Sequence, residues 1–216
     1  HLFKTVTSLM PQNSGTDEGD DSTPSNPQNI ADALVQDIME VYREVNFDID
    51  EILSNLDDPG PFQNVFLQEC ETMNALVSHM RHTLEELDAG FRGEMTMSSD
   101  MEKLMSELYT LEIPKAWQVR PFAFPSLRTL PLWLQNLMQR VTQLSEWSVS
   151  PMDPPRCTWI SGLFNPQRFL TAIMQESARA NTLELDKLVI NTTFTLLINI
   201  GDLLTGIYLL CIVIVD

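Results

Sequence analysis

His79 and His82 stand three residues apart, and Cys70 precedes His79 by nine, all within a stretch whose apolar residues recur at helical spacing. Side chains three apart on a helix are neighbours and can share a metal ion. Cys70, however, falls about two and a half turns from His79, and no second ligand pair stands elsewhere. The expectation is surface or interface histidines and no metal centre. Phosphate binding needs a glycine-rich loop feeding a helix N-terminus, with a lysine reaching the terminal phosphates. The lysines are Lys4, Lys103, Lys115 and Lys187, and none follows a glycine. Serine hydrolysis needs a strained Gly-x-Ser-x-Gly turn, and Ile160-Ser161-Gly162 lacks the first glycine. Carboxylates are plentiful on helix faces, but no apolar pocket is evident to raise a pKa for acid–base work. Asn191-Thr192-Thr193 is a glycosylation sequon that matters only in a secretory protein, and nothing supports secretion. The residues therefore predict no catalytic, metal-binding or cofactor-binding group in this segment.

The elements that hold these residues are mostly helices. Leu2, Phe3, Val6, Leu9 and Met10 read as the end of a preceding helix, and residues 11–28, rich in Pro, Gly, Ser, Asn and Asp, as a flexible linker. Asn26-Pro27 predicts a cap with Pro at the first helical position. Ile30, Leu34, Ile38, Val41 and Val45 then carry a helix to about Asn46. Asp48 caps a shorter one through Ile49, Ile52, Leu53 and Leu56, which Asp58-Pro59-Gly60 stops. The strongest period runs from Pro61 to Gly90 through Phe62, Phe66, Met73, Val77, Met80, Leu84 and Leu87, a helix of about 40 Å. Gln68, Glu69 and Cys70 interrupt its apolar line, which favours a bundle helix over a coiled coil. Ser99 with Glu102 predicts a capping box for a helix carrying Leu104, Met105, Leu108 and Leu111, ended by Ile113-Pro114. Residues 117–126 read as an extended connector. Ser126 caps a helix with Leu130, Trp133, Leu134, Leu137, Val141, Leu144 and Trp147 on one face. Asn165-Pro166 opens another, with Phe169, Leu170, Ile173, Met174 and Ala178 inward, and residues 187–195 alternate as a strand does.

Composition narrows the classes further. The chain has 216 residues, 44% of them hydrophobic, and a net charge of −17. That suits one large or two small domains with a real core, and excludes collagen-like, disulfide-scaffold and wholly disordered classes. A surface this acidic repels phosphates, so no nucleic acid is expected as a partner. Residues 1–60 carry net −11 and 61–118 net −6, whereas 119–193 carry +2, the pattern of two subregions with different neighbours. Cys70, Cys157 and Cys211 are odd in number and far apart, which predicts buried free thiols in a reducing compartment. The chain opens on His1, not Met, without a basic n-region before an apolar stretch. That predicts a fragment or processed product with no signal peptide.

The second half carries wording that patterning alone does not explain. Residues 159–172, Trp-Ile-Ser-Gly-Leu-Phe-Asn-Pro-Gln-Arg-Phe-Leu-Thr-Ala, closely resemble a signature of dynein heavy chains, in the C-terminal domain that follows the sixth AAA module of the motor ring. Ile113-Pro114-Lys115-Ala116-Trp117, Phe124-Pro125-Ser126-Leu127, and Trp133 to Trp147 with Arg140 between support it. So do Gln68-Glu69-Cys70-Glu71-Thr72-Met73-Asn74 and residues 84–97 with Gly93-Glu94-Met95-Thr96. The similarity runs over about residues 1–195, is dense over 61–190, and looks closest to the axonemal branch, of outer-arm type. Thr72 stands where the family has an arginine, and Phe124 where it has a tyrosine. From Leu196 the family pattern of Lys-containing strands forming a small barrel is lost.

The resemblance implies a mainly α fold, a multi-helix bundle whose terminal β-barrel is missing or replaced. Its divisions would be 1–28, an acidic helical subregion 29–118, a signature-bearing subregion 119–195 and a divergent tail 196–216. It implies a non-catalytic segment packed on the AAA ring of an ATP-driven, minus-end-directed microtubule motor in ciliary movement. ATP and Mg belong to the parent ring, and intermediate chains, light chains and microtubules to the parent complex. The location implied is cytoplasm, cytoskeleton and ciliary axoneme. The signature and packing residues would be Gln68, Glu69, Asn74, Gly93, Trp117, Pro125, Ser126, Leu127, Trp133, Arg140, Trp147, Trp159, Ser161, Gly162, Phe164, Pro166, Gln167, Phe169, Leu170, Thr171, Gln175 and Arg179. Three readings of the tail stand open. Residues 194–215 are long enough to cross a membrane as a helix, which would make a stand-alone anchored interaction protein, although Asp202 costs about 2.5–3.5 kcal/mol near the bilayer centre. Ile212 to Val215 also suit a buried strand without an obvious partner. Translation past an exon boundary after Thr195 is the favoured one.

Overall fold

Helix signals along the chain translate into helices with few displacements. The computed structural model describes residues 27–119, 124, 126–153, 155, 157–195 and 208–215. The linker reading of 1–26, Pro125 and residues 196–207 lie outside them. Among the described residues six α-helices follow in order: α1 Pro27–Tyr42, α2 Ile49–Ser54, α3 Pro61–Phe91, α4 Ser99–Tyr109, α5 Leu130–Ser148 and α6 Pro166–Asn181. Strands β1 Leu188–Thr195 and β2 Tyr208–Val215 close the order. The protein is mainly helical. Two compact units form, one from the described residues of His1–Asn46 with Asn74–Leu137, the other from those of Phe47–Met73 with Met138–Asp216.

In the first unit, α1 packs along α4 and buries Ala31, Leu34, Val35, Ile38 and Tyr42. The helix stops at Tyr42, short of the expected Asn46, because Arg81 Nη2 donates to the carbonyls of Tyr42 (2.9 Å) and Val45 (3.2 Å). Those are the acceptors a helix C-terminus leaves open. α3 ends in a Schellman turn: Glu94 N–H reaches Ala89 O, Gly93 N–H reaches Gly90 O, and Gly93 takes φ +74°. Only glycine adopts that conformation without a Cβ penalty. The box on α4 sits one residue earlier than expected, with Ser98 Oγ accepting from Met101 N–H at 3.3 Å. α4 closes with the same turn type, Glu112 N–H on Glu107 O and Leu111 at φ 55°. Leu111 is thus a cap, not part of the apolar face.

Ser126 does not cap α5. Its hydroxyl accepts from Arg128 N–H, and the helix starts at Leu130 with Trp133 N–H on Thr129 O. Pro131 then falls in the first turn, where a missing N–H leaves no bond unmade. All seven expected inward residues of α5 are buried, Val141 the most exposed of them at 8%.

In the second unit Asp48 caps α2 through Glu51 N–H (2.9 Å), and Asn165 caps α6 through Arg168 N–H (3.3 Å). Cys70 and Glu69 do not interrupt the buried line of α3: Cys70 is fully buried and Glu69 is 3% exposed. A free cysteine behaves as a small hydrophobe, and only Gln68 faces solvent. The expectation of buried thiols fails at Cys157, which is exposed.

β1 and β2 pair antiparallel from Leu188↔Val215 to Thr195↔Tyr208, and α6 packs against both. This overturns the membrane-helix reading of 194–215, since residues at both ends of that run are strand. No helix among the described residues is long and apolar enough to cross a membrane. β2 finds the partner that its sequence alone did not reveal.

Candidate functional site

A polar cluster surrounds the loop Trp159–Asn165 in the second unit. α3 presents Glu69 to it, and α5 presents Arg140 and Gln143. Glu69 accepts two backbone N–H groups, from Phe164 at 2.5 Å and Asn165 at 2.9 Å. Arg140, 6% exposed, donates to the carbonyls of Leu163 (3.2 Å) and Ser161 (3.0 Å). Its guanidinium also lies 5.4 Å from the Trp159 ring centroid and 5.9 Å from that of Phe164, within cation–π range. Gln143 bonds both ends of the Trp159 peptide, accepting from its N–H (2.6 Å) and donating to its carbonyl (3.3 Å). A loop that carries unpaired backbone groups into a packed region needs such partners.

Burial pushes the Glu69 carboxyl above the usual carboxylate range. The N–H groups of Phe164 and Asn165 and the charges of Arg140 and Arg168 pull it partly back. Burial, reinforced by Glu69 and Glu71, also raises the Cys70 thiol well above its ordinary value, so it stays protonated and is a poor nucleophile or ligand. Gly162 is required by close approach, because a Cβ there would overlap the Trp159 ring. Trp159 is itself half-buried, not a fully enclosed anchor.

Beneath the loop, Trp147 stacks on Phe66 (4.9 Å between centroids) and meets Phe169 edge-on (6.0 Å). Beside it α3 and α6 leave an open groove of about 410 Å³, lined among others by Gln68, Asn165, Gln167, Arg168, Thr171 and Gln175. Arg168 Nη1 donates to Gln68 Oε1 at 2.9 Å. Pro166 opens α6, Leu170 is half-buried, and Arg179 lies exposed in the last turn, where a cation complements the helix C-terminus.

The remaining expected residues fall in the first unit. Trp117 is fully buried, donates from Nε1 to Thr83 Oγ1 (3.0 Å) and stacks on Trp133, which stacks on Phe124. Ser126 is half-buried and Leu127 wholly exposed, at 108%. Gly93 is an exposed turn, and Asn74 is half-buried. His79 Nε2 meets Ala116 O at 3.1 Å and His82 faces Glu86 at 3.6 Å. Among the described residues no three His, Cys, Asp or Glu side chains converge on a metal position.

Sequence reading missed Gln63, Gln143 and Tyr42. Gln63 donates to the carbonyls of Pro151 and Met152, and Tyr42 to that of Leu134 (2.7 Å). Their signal was a polar group on an otherwise apolar helix face, a position that demands a partner.

Glu69, Arg140 and Gln143 each hold main chain of this loop, which defines a helical segment built around a clamped loop. The family model for the C-terminal domain of the dynein heavy chain matches residues 1–206, and this protein belongs to that family. Among its relatives, the flagellar outer-arm dynein beta chain of Chlamydomonas reinhardtii is 42% identical over 190 residues, 87% of this chain. The ciliary dynein beta chain of Heliocidaris crassispina is 39% identical over 195 residues, and human dynein axonemal heavy chain 17 is 37% identical over 194, each 90% of this chain. The chain spans about 4% of the length of these relatives.

Proposed function

We propose that the chain is the non-catalytic C-terminal segment of an axonemal dynein heavy chain. Its helices pack on the AAA ring of a minus-end-directed, ATP-driven microtubule motor in ciliary movement. The observation that carries this is the family match over residues 1–206, which takes in the clamped loop and its Glu69 and Arg140 partners. Subregions 29–118 and 119–195 supply the packing surfaces, and the signature residues act by positioning main chain. ATP and Mg belong to the ring, not to this segment. Partners follow from the parent complex: the ring itself, intermediate and light chains, and microtubules. The location is the cytoplasmic cytoskeleton of the axoneme.

The test mixes the purified chain with a Chlamydomonas outer-arm beta-chain ring lacking its own matching segment. Co-elution as a one-to-one complex is expected. Independent elution at micromolar concentrations overturns the reading.

A further inference from the structure

The open groove beside the clamped loop lies wholly within the second unit, between α3 and α6, and has a volume of about 410 Å³. Its lining follows a spacing. Asn64 and Gln68 stand four residues apart on α3, and Gln167, Thr171 and Gln175 stand four apart on α6. Four residues of helix rise about 6 Å, so each wall carries a row of amide or hydroxyl groups at that interval. An extended peptide turns the main-chain groups of one edge outward at nearly the same interval, about 6.6 Å for two residues. The side chains of Asn64, Gln167 and Gln175 hydrogen-bond nothing among the described residues. Gln68 keeps its amide N–H groups, because its Oε1 is what Arg168 takes. Thr171 donates its hydroxyl proton to Gln167 O at 2.9 Å, which leaves the oxygen as an acceptor. Val65 and Ala172, buried members of the lining, are small, which lets a main chain come close.

None of the residues lining the groove is Asp or Glu, in a chain with 30 acids against 13 bases. Its one charged member, Arg168, bonds the neutral Gln68 carboxamide through Nη1 and makes no ion pair among the described residues. Nε and Nη2 of that guanidinium stay without a partner there. A carboxylate suits them, because the planar fork of arginine takes both oxygens at once. We infer that the groove binds an extended segment of a partner polypeptide, its main chain held between the two rows and one Asp or Glu side chain on Arg168. From Gln167 to Gln175 α6 rises about 12 Å, room for about four residues of extended chain. Carboxamides meet main-chain N–H and C=O groups equally well, so the rows read backbone and the arginine reads one side chain. The net charge of −17 repels a strongly acidic chain at long range, so the segment that fits carries a single acid.

The experiment follows the side-chain amide signals of the isotope-labelled 216-residue chain by NMR, as the peptide acetyl-Ser-Gly-Glu-Gly-Ser-amide is added to millimolar concentration. The expected result is joint movement of the Asn64, Gln68, Gln167 and Gln175 signals on one saturating curve. Arg168→Gln should weaken binding about fivefold. Arg179→Gln makes the same charge change in the exposed last turn of α6, and should weaken it less than about twofold. Both arginines are exposed, so the rest of each variant's spectrum stays that of wild type. A peptide N-methylated along its main chain should bind about tenfold more weakly, since its donors are gone. Absence of movement with the first peptide overturns the site. Equal effects of the two arginine variants overturn the role of Arg168. Equal binding of the N-methylated peptide, or the same shifts from acetate alone, reduces the groove to a carboxylate contact and overturns main-chain recognition. Shifts that grow with protein concentration before any peptide is added assign the groove to a second copy and overturn the inference.

Discussion

Glu69 illustrates how one buried carboxylate sets the shape of a loop. It is 3% exposed, and its two oxygens accept the N–H groups of Phe164 and Asn165. Glu69→Ala leaves both donors buried and unpaired and removes a counter-charge to Arg140, so it should cost on the order of 3 kcal/mol in urea unfolding at neutral pH. A cost below 1 kcal/mol would mean that the loop finds other acceptors. The sign of the pH dependence follows from the raised carboxyl. The folded state then holds its proton to higher pH than the unfolded chain, so stability falls as pH rises from about 4.5, the ordinary value, toward the folded one. Glu69→Gln cannot titrate, and its stability relative to wild type should improve across that window. The two tryptophans of this unit should separate in the same assay. Trp147 is 1% exposed between two phenylalanines, and Trp147→Ala should cost about 3–5 kcal/mol. Half-buried Trp159 should cost less than about 3 kcal/mol, since only part of its ring leaves contact.

At the scale of elements, caps decide where helices end, and one cap is strained. Thr182 closes α6 at φ 56°, with Leu183 N–H on Ala178 O. This is the turn glycine usually makes, and a β-branched residue there costs about 1–2 kcal/mol. Thr182 is exposed, so its side chain adds little packing. After the extra chain entropy of glycine is subtracted, Thr182→Gly should stabilise the protein by about 0.5–1 kcal/mol. A loss in urea unfolding would show that the threonine makes a compensating contact. The helical period and the local caps Asp48 and Asn165 were legible in the sequence because they depend on residues within a few positions. The end of α1 was not, because Arg81 supplies its capping donor from 36 and 39 residues away. The start of α5 shifted because Ser126 closes its own turn before the helix begins. Glu69 and Arg140 were legible as family wording, but not their task, since the loop they hold lies 95 and 21 to 23 residues further along the sequence. β2 was one of three open readings of the tail, and its partner stayed hidden because a partner strand is long-range information that an apolar run does not carry.

For the whole molecule, charge and cation placement together argue against nucleotide chemistry in this segment. The net charge is −17, which repels a polyphosphate at long range. At short range each described lysine faces an acid: Lys103 on Asp100 at 2.9 Å, Lys115 on Glu107 at 4.0 Å and Lys187 on Glu184 at 2.8 Å. Such surface pairs add little stability, but they cancel the local positive field a phosphate requires. The more deeply set cations serve main chain, Arg81 on Tyr42 and Val45 and Arg140 on Ser161 and Leu163, while exposed Arg168 bonds the Gln68 carboxamide. Recruiting Arg140 to a phosphate would strip two carbonyls of their donor and release the loop that Glu69 holds from the other side. The isolated protein should therefore give no phosphate release above buffer with MgATP and no heat in titration calorimetry at physiological salt. Turnover that Arg140→Leu abolishes, with the fold retained by circular dichroism, would place a nucleotide site in the clamp and reverse the assignment of this segment as non-catalytic.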